Sequence, residues 1–353
     1  MSVNSKFNRQ AGFSMMELLI SLGMMAIITG AAFALIGSSL KFSNSTFHIT
    51  DAEQTMRTAH EIVNRDLTTS GDGLKGIGTI QVPVGFVSSY LTQTPITCPS
   101  TSSYVCMSMV QSDDNVAGTT AVPQSSPAVN VLAGNDRLTL LTQDTSFTPV
   151  TLLAGKITVS GSTTNIAVTA TDLTRFAQGE MYAIVAGNSA AFGVITGINT
   201  STNTLQMANG DVYGINQTGA GTPINVVSAA GANPTSIMRI QIIHYYVNAN
   251  NLLMRRVFGV RGSTFIDSVV AEHVTNLQFR YLVNLPDANG FVQQPKRQLA
   301  SSQEQQAVRE VETTVAVETV RAVNQVTANN NGKQAVSTTT ATTLRNLQFR
   351  QAL

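Results

Sequence analysis

The chain has 353 residues, of which 43% are hydrophobic and only 12% are charged, and its formal net charge is +1. This apolar content excludes a disordered chain, and the absence of a basic cluster argues against nucleic acid held through many phosphate contacts. Two cysteines are too few for a disulfide-dense small fold or a four-cysteine zinc site.

The first predicted element is a long apolar helix that follows a short basic leader. Residues 1–12 contain Lys6 and Arg9 and no acidic residue, whereas residues 18–40 contain no Asp, Glu, Lys, Arg or His. As a helix, residues 18–40 would extend about 35 Å, enough to cross a hydrocarbon layer of ~30 Å. We therefore predict a transmembrane segment over about residues 16–40, with the leader on the cytoplasmic side and the rest of the chain outside.

One acidic residue, Glu17, lies at the start of this apolar segment. A carboxylate in lipid costs on the order of 2–3 kcal/mol, so Glu17 is a candidate functional residue unless it lies at the level of the headgroups. The string GFSMMELL at residues 12–19, after a basic leader, resembles the class III signal of type IV prepilins and type II secretion pseudopilins. The resemblance implies that prepilin peptidase cuts after Gly12, the last leader residue, and that Phe13 becomes the N-methylated mature N-terminus.

Elementary electrostatics agrees with this interpretation. Cleavage after Gly12 would remove the leader cations and expose an ammonium group on Phe13, and methylation keeps that charge. Two opposite charges ~4 Å apart attract by about 4 kcal/mol at an effective dielectric constant of 20. The resemblance implies that Glu17 meets the amine of a neighbouring subunit, so the cost of burying its carboxylate would be offset only in the assembled filament.

The same apolar segment also fits a conventional secretory signal peptide. Residues 32–34, Ala-Phe-Ala, have the pattern of a signal peptidase site. Cleavage after Ala34 would release a soluble protein that begins at Leu35. The helical pattern continues through this position, which favours the transmembrane interpretation.

After residue 40 the sequence becomes amphipathic and predicts that the helix continues as a stalk over residues 41–70. Its apolar residues recur at helical spacing, and charged residues occupy the other faces. The apolar stripe consists of Phe42, Ile49, Ala52, Met56, Ala59 and Val63. The helix is expected to span residues 13–70 and to end before Gly71 and Gly73. This helix would be about 87 Å long.

The remainder of the chain, residues 71–353, is predicted to form a β-rich globular domain. Strands are expected at residues 138–142, 157–160, 165–171, 181–186, 192–198, 237–247, 252–258, 274–283 and 311–317, with a hairpin loop at residues 248–251. Segments 112–134, 216–235, 285–306 and 324–343 are expected to be loops or poorly ordered insertions. The predicted fold class is α+β, a long N-terminal helix packed on a mainly antiparallel β-rich domain.

Parts of the globular region resemble a narrower family. Residues 176–207, 245–256 and 269–281 are similar to PilW-type minor pilins. Residues 269–281 and 344–346 are also similar to the J-type minor pseudopilins of type II secretion.

Two further groups of residues have the chemistry of a disulfide or of a metal site. Cys98 and Cys106 enclose seven residues and are expected to form a disulfide in an oxidising periplasm, with two free thiols as the alternative. Residues 113–115, Asp-Asp-Asn, offer oxygen ligands for calcium but lack the spacing of a calcium loop, so a solvated acidic turn is the ordinary explanation. No nucleophile motif or zinc motif is complete, so we predict no enzyme, cofactor or metal.

The sequence thus predicts a minor pilin that is processed by prepilin peptidase and anchored by one helix in the inner membrane, with its C-terminal domain in the periplasm. The resemblance implies that it joins major and minor pilin subunits in an initiating complex at the filament tip, which also touches surfaces. Its expected partners are these subunits, the peptidase and membrane lipid, without nucleic acid. A type II secretion pseudopilin and a secreted soluble protein are the alternatives.

Overall fold

The computed structural model describes residues 12–74, 77–93, 96, 103–153, 155–187, 189–217, 235–262, 264–286, 290, 294–323 and 332–345. The chain divides into two compact units. The first unit consists of Met1–Asp51 and Thr319–Gln334, and the second of Ala52–Glu318 and Ala335–Leu353.

The longest element is helix α1 (Met15–Thr69), which runs for 55 residues. Its N-terminal part is long and apolar enough to cross a membrane, and none of that apolar stretch is buried. The exposed large side chains are Met15, Met16, Leu18, Leu19, Ile20, Leu22, Met24, Met25, Ile27, Ile28, Phe33, Leu35, Ile36, Leu40, Phe42 and Phe47. The long N-terminal apolar helix predicted from the sequence is therefore confirmed.

The C-terminal part of α1 lies in the second unit and packs on the β-rich core. The predicted apolar stripe is buried from Ala52 through Val63, whereas Phe42 is 59% exposed. The helix ends at Thr69, and Gly71 follows with a φ of +74°. Gly73 has a φ of +70°, in the left-handed region that side chains disfavour, so this turn favours glycine.

The remaining described elements are mostly strands. They are β1 (Ile80–Pro83), α2 (Val84–Phe86) with a π-helical turn (Val87–Leu91), β2 (Tyr104–Met107), β3 (Val110–Val116), β4 (Asn135–Gln143), β5 (Val150–Leu152), β6 (Ile157–Ser160), β7 (Thr163–Ala167), α3 (Ala170–Leu173), β8 (Met181–Ala186), β9 (Ser189–Val194), β10 (Gly197–Asn199), β11 (Thr204–Ala208), β12 (Thr235–Val247), β13 (Leu253–Phe258), β14 (Phe265–Ala271), β15 (Val274–Val283), β16 (Gln294–Lys296), α4 (Ser302–Ala307), β17 (Val308–Glu318) and β18 (Ala335–Thr343).

These strands form three sheets. The largest has ten strands and contains the path β14-β13-β12-β8-β9-β1-β2, with β3, β4 and β5 joined at its side. Two four-stranded sheets have the orders β10-β11-β7-β6 and β16-β15-β17-β18. Among the described strands, every pair is antiparallel except β1 with β9. The predicted α+β class with a mainly antiparallel β-rich region is confirmed.

Strand β12 organises the largest sheet because its two halves have different neighbours. Residues 235–239 pair with β5 and β8, and residues 240–247 pair with β4 and β13. Its fully buried residues Ile240, Ile242 and Tyr245 belong to the same core cluster as Ala59, Val63 and Leu67 of α1. The main core of the second unit is therefore built by the end of the stalk helix together with the centre of the sheet.

Several predicted elements match and others do not. The strands at residues 157–160, 181–186 and 274–283 occupy the predicted residues, and residues 248–251 form the predicted hairpin loop. The strand predicted at residues 165–171 ends at Ala167. The loop predicted at residues 324–343 is wrong for its last nine residues, which form β18. The loop predicted at residues 112–134 is wrong for the part of β3 that it contains, and the loop predicted at residues 285–306 contains β16 and most of α4. Most of the loop predicted at residues 216–235 lies outside the described residues.

Candidate functional site

The candidate processing site lies immediately before helix α1. Gly12 and Phe13 precede the first helical residue, Met15, and Phe13 is 78% exposed. A Cβ atom at Gly12 would meet no atom within 4 Å. The peptide bond between these two residues is therefore uncovered by any described part of the chain, as a protease site requires. The leader residues 1–11, with Lys6 and Arg9, lie outside the described residues.

Ser14 and Glu17 cap the start of the helix reciprocally. The backbone N–H of Met16 donates to the Ser14 hydroxyl oxygen at 3.3 Å, and the backbone N–H of Ser14 donates to the Glu17 carboxylate at 3.3 Å. The N–H of Leu18 donates to the Ser14 carbonyl at 3.1 Å, the first helical hydrogen bond. This arrangement is a capping box, in which a serine and a glutamate three residues later satisfy N–H groups that the helix leaves unpaired.

The capping box gives Glu17 a structural role in addition to its predicted role in assembly. A carboxylate in the first turn is stabilised by the positive end of the helix dipole. The group that donates to Glu17 is the N–H of Ser14, which cleavage after Gly12 leaves intact. The new ammonium group on Phe13 would then arise on the adjacent residue. Ser14 was not among the residues predicted from the sequence, although S-x-x-E is a recognised signal for a helix start.

A buried polar cluster connects the stalk helix to the sheet in the second unit. The Asp66 carboxylate, on a residue that is 4% exposed, accepts from Arg255 Nε at 2.5 Å and from the Tyr245 hydroxyl at 2.6 Å. Burial and, next, the charge of Asp66 raise the pKa of Tyr245, so its hydroxyl remains a donor. No sequence pattern predicted this cluster, because Asp66 lies 179 residues from Tyr245 and 189 residues from Arg255 along the chain.

His60 and Asn64, also on the stalk helix, contact the last strand. His60 Nε2 lies 3.2 Å from the carbonyl oxygen of Thr338. Because a carbonyl oxygen only accepts hydrogen bonds, Nε2 carries the hydrogen in this contact. Nδ1 lies 2.9 Å from the Thr340 hydroxyl. Asn64 accepts from the hydroxyl of Thr342 at 2.8 Å. Burial lowers the pKa of His60 below its ordinary value of 6.5. These side chains pair polar groups of β18, which is an edge strand of its sheet.

The predicted disulfide and the candidate calcium ligands lie on strands β2 and β3 or outside the described residues. Cys106 is buried on β2 and is not a free thiol, but Cys98 lies outside the described residues, so the disulfide between them stays a prediction. Asp113 does not face a solvated turn, because it forms an ion pair with Arg137 at 2.6 Å in which both side chains are 5% exposed. No group of three or more His, Cys, Asp or Glu side chains with metal-binding geometry occurs among the described residues.

One comparison with known proteins, the match to a family model, agrees with the N-terminal interpretation. Residues 7–33 match the family model of the prokaryotic N-terminal methylation motif. No curated protein sequence matches the chain. Among solved structures, the type IV-like pilin TTHA1219 from Thermus thermophilus is similar over 50% of this chain and 92% of its own, with 11% sequence identity and a TM-score of 0.21. The chain therefore carries the prokaryotic N-terminal methylation motif at the start of a long helix whose apolar stretch is exposed.

Proposed function

We propose that this protein is a minor pilin of a type IV pilus, cleaved by prepilin peptidase after Gly12 and N-methylated on Phe13. The observation that supports this most strongly is the methylation motif at the uncovered start of a long helix, because that helix buries none of its apolar stretch. In the membrane, lipid would surround these side chains; in a filament, other pilin helices would replace the lipid. The β-rich unit would lie in the periplasm before assembly.

Glu17 has a defined task in this proposal. In the single chain its carboxylate accepts only one described hydrogen bond, from the N–H of Ser14, at a long distance of 3.3 Å. A charged partner ~4 Å away would add about 4 kcal/mol of attraction at an effective dielectric constant of 20. The ammonium group on Phe13 of a neighbouring subunit is such a partner. We propose further that the protein takes part in an initiating complex at the filament tip, where it contacts surfaces.

The processing step is tested by coexpression with a prepilin peptidase, followed by intact mass measurement and N-terminal sequencing. We expect a mature chain that begins with N-methylated Phe13. Gly12→Val should block cleavage. Gly30→Val is a matched control, because a Cβ atom at Gly30 also meets no atom within 4 Å and the residue lies beyond the cleavage site. A mature chain that begins at Leu35 would show instead that a signal peptidase releases a soluble protein.

The assembly step is tested with Glu17→Gln, which keeps an oxygen for the N–H of Ser14 and removes the charge. The variant should be processed normally but be absent from purified pili. Glu61→Gln, an exposed residue on the same helix, serves as the control and should assemble like the wild type. Deletion of the gene separates the two filament systems: lost pili with intact protein secretion supports a pilin, and the reverse result supports a type II secretion pseudopilin.

A further inference from the structure

A polar groove of about 600 Å³ lies on the second unit, at the outer face of the sheet that contains β15, β17 and β18. Its floor is formed by cross-strand neighbours. Gln278, Thr314 and Thr339 form one row across the three strands, and Arg280 and Glu312 form the next. Because these side chains project from paired strands, the floor is held rigidly. The volume is within the usual range of ~300–1,000 Å³ for small-molecule sites.

The walls of the groove come from other parts of the second unit. Asn115, at the end of β3, and Gly134, before β4, line one part, and Arg297, just after β16, lines another. Gly134 has a φ of +74° and open space where a side chain would be, so it leaves this part of the wall unobstructed. The side-chain amide of Gln278 donates to the carbonyl oxygen of Gly134 at 2.8 Å, so this hydrogen bond connects the wall of the groove to its floor.

The hydrogen bonds inside the groove leave both acceptors and donors for a ligand. Gln278 uses its NH₂ group on the carbonyls of Gly134 and Leu277, and Asn115 uses its NH₂ group on Asp114, so both amide oxygens remain available as acceptors. The hydroxyls of Thr314 and Thr339 lie 2.7 Å apart and share one hydrogen, so the other hydrogen can be donated elsewhere. A ligand with several hydroxyl groups, each of which donates and accepts, fits this set.

The groove also has an arginine suited to an anion. Arg280 lies 3.6 Å from Glu312, whereas Arg297 is exposed and forms no ion pair with any other described residue. A guanidinium group binds a carboxylate through two parallel hydrogen bonds. The aromatic ring of Phe279 is buried beneath the floor, so the described residues that line the groove present no exposed ring and no apolar anchor. Protein interfaces concentrate their affinity in such anchors, which makes a protein partner the poorer fit.

We propose that this groove binds an acidic sugar of the uronic acid type, with its carboxylate on Arg297 and its hydroxyls on Gln278, Asn115 and the two threonines. The proposal depends on the assignment as a pilin only in that a filament would carry the groove outside the cell. Binding itself can be measured on the purified full chain in detergent, and processing after Gly12 can be measured on the same sample. Failure of one therefore does not resemble failure of the other.

The test is isothermal titration calorimetry with three probes: a galacturonic acid trimer, a galactose trimer and a glutamate hexapeptide. We expect saturable binding of the galacturonic acid trimer. Arg297→Gln should weaken it roughly 10- to 100-fold, the value of one charge-assisted hydrogen-bonded contact. Arg261→Gln, at another exposed arginine that does not line the groove, should bind like the wild type. The galactose trimer should bind at least ~10-fold more weakly than the acidic one.

Four results would overturn the proposal. They are the absence of saturable binding of the acidic trimer, unchanged binding by Arg297→Gln, equal binding of the neutral and acidic trimers, and tighter binding of the glutamate hexapeptide than of the sugar. The last result would assign the groove to an acidic protein segment. Thr314→Val provides a second variant of the floor, which should weaken binding of both sugars because a hydroxyl is lost without a change of charge. Near-ultraviolet circular dichroism of each variant verifies that the fold is retained.

Discussion

Replacement of Asp66 by alanine is expected to destabilise the second unit by about 3 kcal/mol. The carboxylate accepts from Arg255 at 2.5 Å and from Tyr245 at 2.6 Å, and a hydrogen bond to a charged group contributes ~1.5–3 kcal/mol. Breaking a buried ion pair typically costs ~3–5 kcal/mol. We take the lower end because the Arg255 side chain is 21% exposed and can be hydrated, although Tyr245 is fully buried and cannot.

Urea unfolding of the full chain in detergent measures this loss. The chain has 7 tyrosines and no tryptophan, so near-ultraviolet circular dichroism follows the tyrosines, and hydrogen exchange of residues 52–69 reports on the stalk helix. Glu61→Ala, on an exposed face of the same helix, should change the free energy of unfolding by less than ~0.5 kcal/mol. Asp66→Ala and Tyr245→Phe should be non-additive in a double-mutant cycle. If Asp66→Ala unfolds at the same urea concentration as Glu61→Ala, the Asp66 carboxylate does not stabilise the second unit.

Three further predictions concern pH and thiols. Burial raises the pKa of Asp136 from 3.8 to about 6. The stability that this residue contributes is therefore complete below pH 4, and about 3 kcal/mol of it is lost as the pH rises through 6. Asp136→Asn should remove this part of the pH dependence of urea unfolding. His60 has the opposite pH dependence, because its pKa is lowered: the stability that it contributes is present above pH 6.5 and is lost as the pH falls. His60→Gln should therefore reduce the loss of folding stability in acid, as measured by urea unfolding. If Cys98 and Cys106 form the predicted disulfide, a thiol assay of the unreduced, denatured chain should find no free thiol, and Cys106→Ser should lower stability by about 2–3 kcal/mol; a wild-type chain with two reactive thiols would contradict it.

The helix and several strands could be predicted because their signals are local. The charge-free run and the stripe that follows it locate α1 to within two residues at its start and one at its end. Strand β8 (Met181–Ala186) was predicted at the correct residues because apolar and β-branched residues fill it between turn residues. The motif at residues 12–17 is equally local, which is why so short a part of the chain is enough to match the methylation-motif model.

Other elements depend on partners that are far away in the sequence. Strand β18 consists largely of threonine, so its two faces look alike in the sequence and no apolar alternation predicts it. It is a strand because all nine of its residues pair with β17 and because the stalk helix contacts its polar groups. The strand predicted at residues 165–171 ended early for a local reason that was missed: the Thr169 hydroxyl accepts from the N–H of Asp172 at 3.0 Å and starts helix α3.

Several of the few charged residues in this sequence are buried and form ion pairs. Asp113 and Arg137 are both 5% exposed, and Arg256 is 1% exposed and bound to both carboxylate oxygens of Asp267 at 2.7 Å. Such pairs are costly to desolvate, so they contribute little net stability compared with apolar residues of similar volume. With so many of its few charges engaged internally, the second unit presents faces such as β18 that carry hydroxyl groups rather than charges. A surface built in this way can approach a second surface of the same kind without strong like-charge repulsion, which is the electrostatic condition that the proposed filament assembly has to meet.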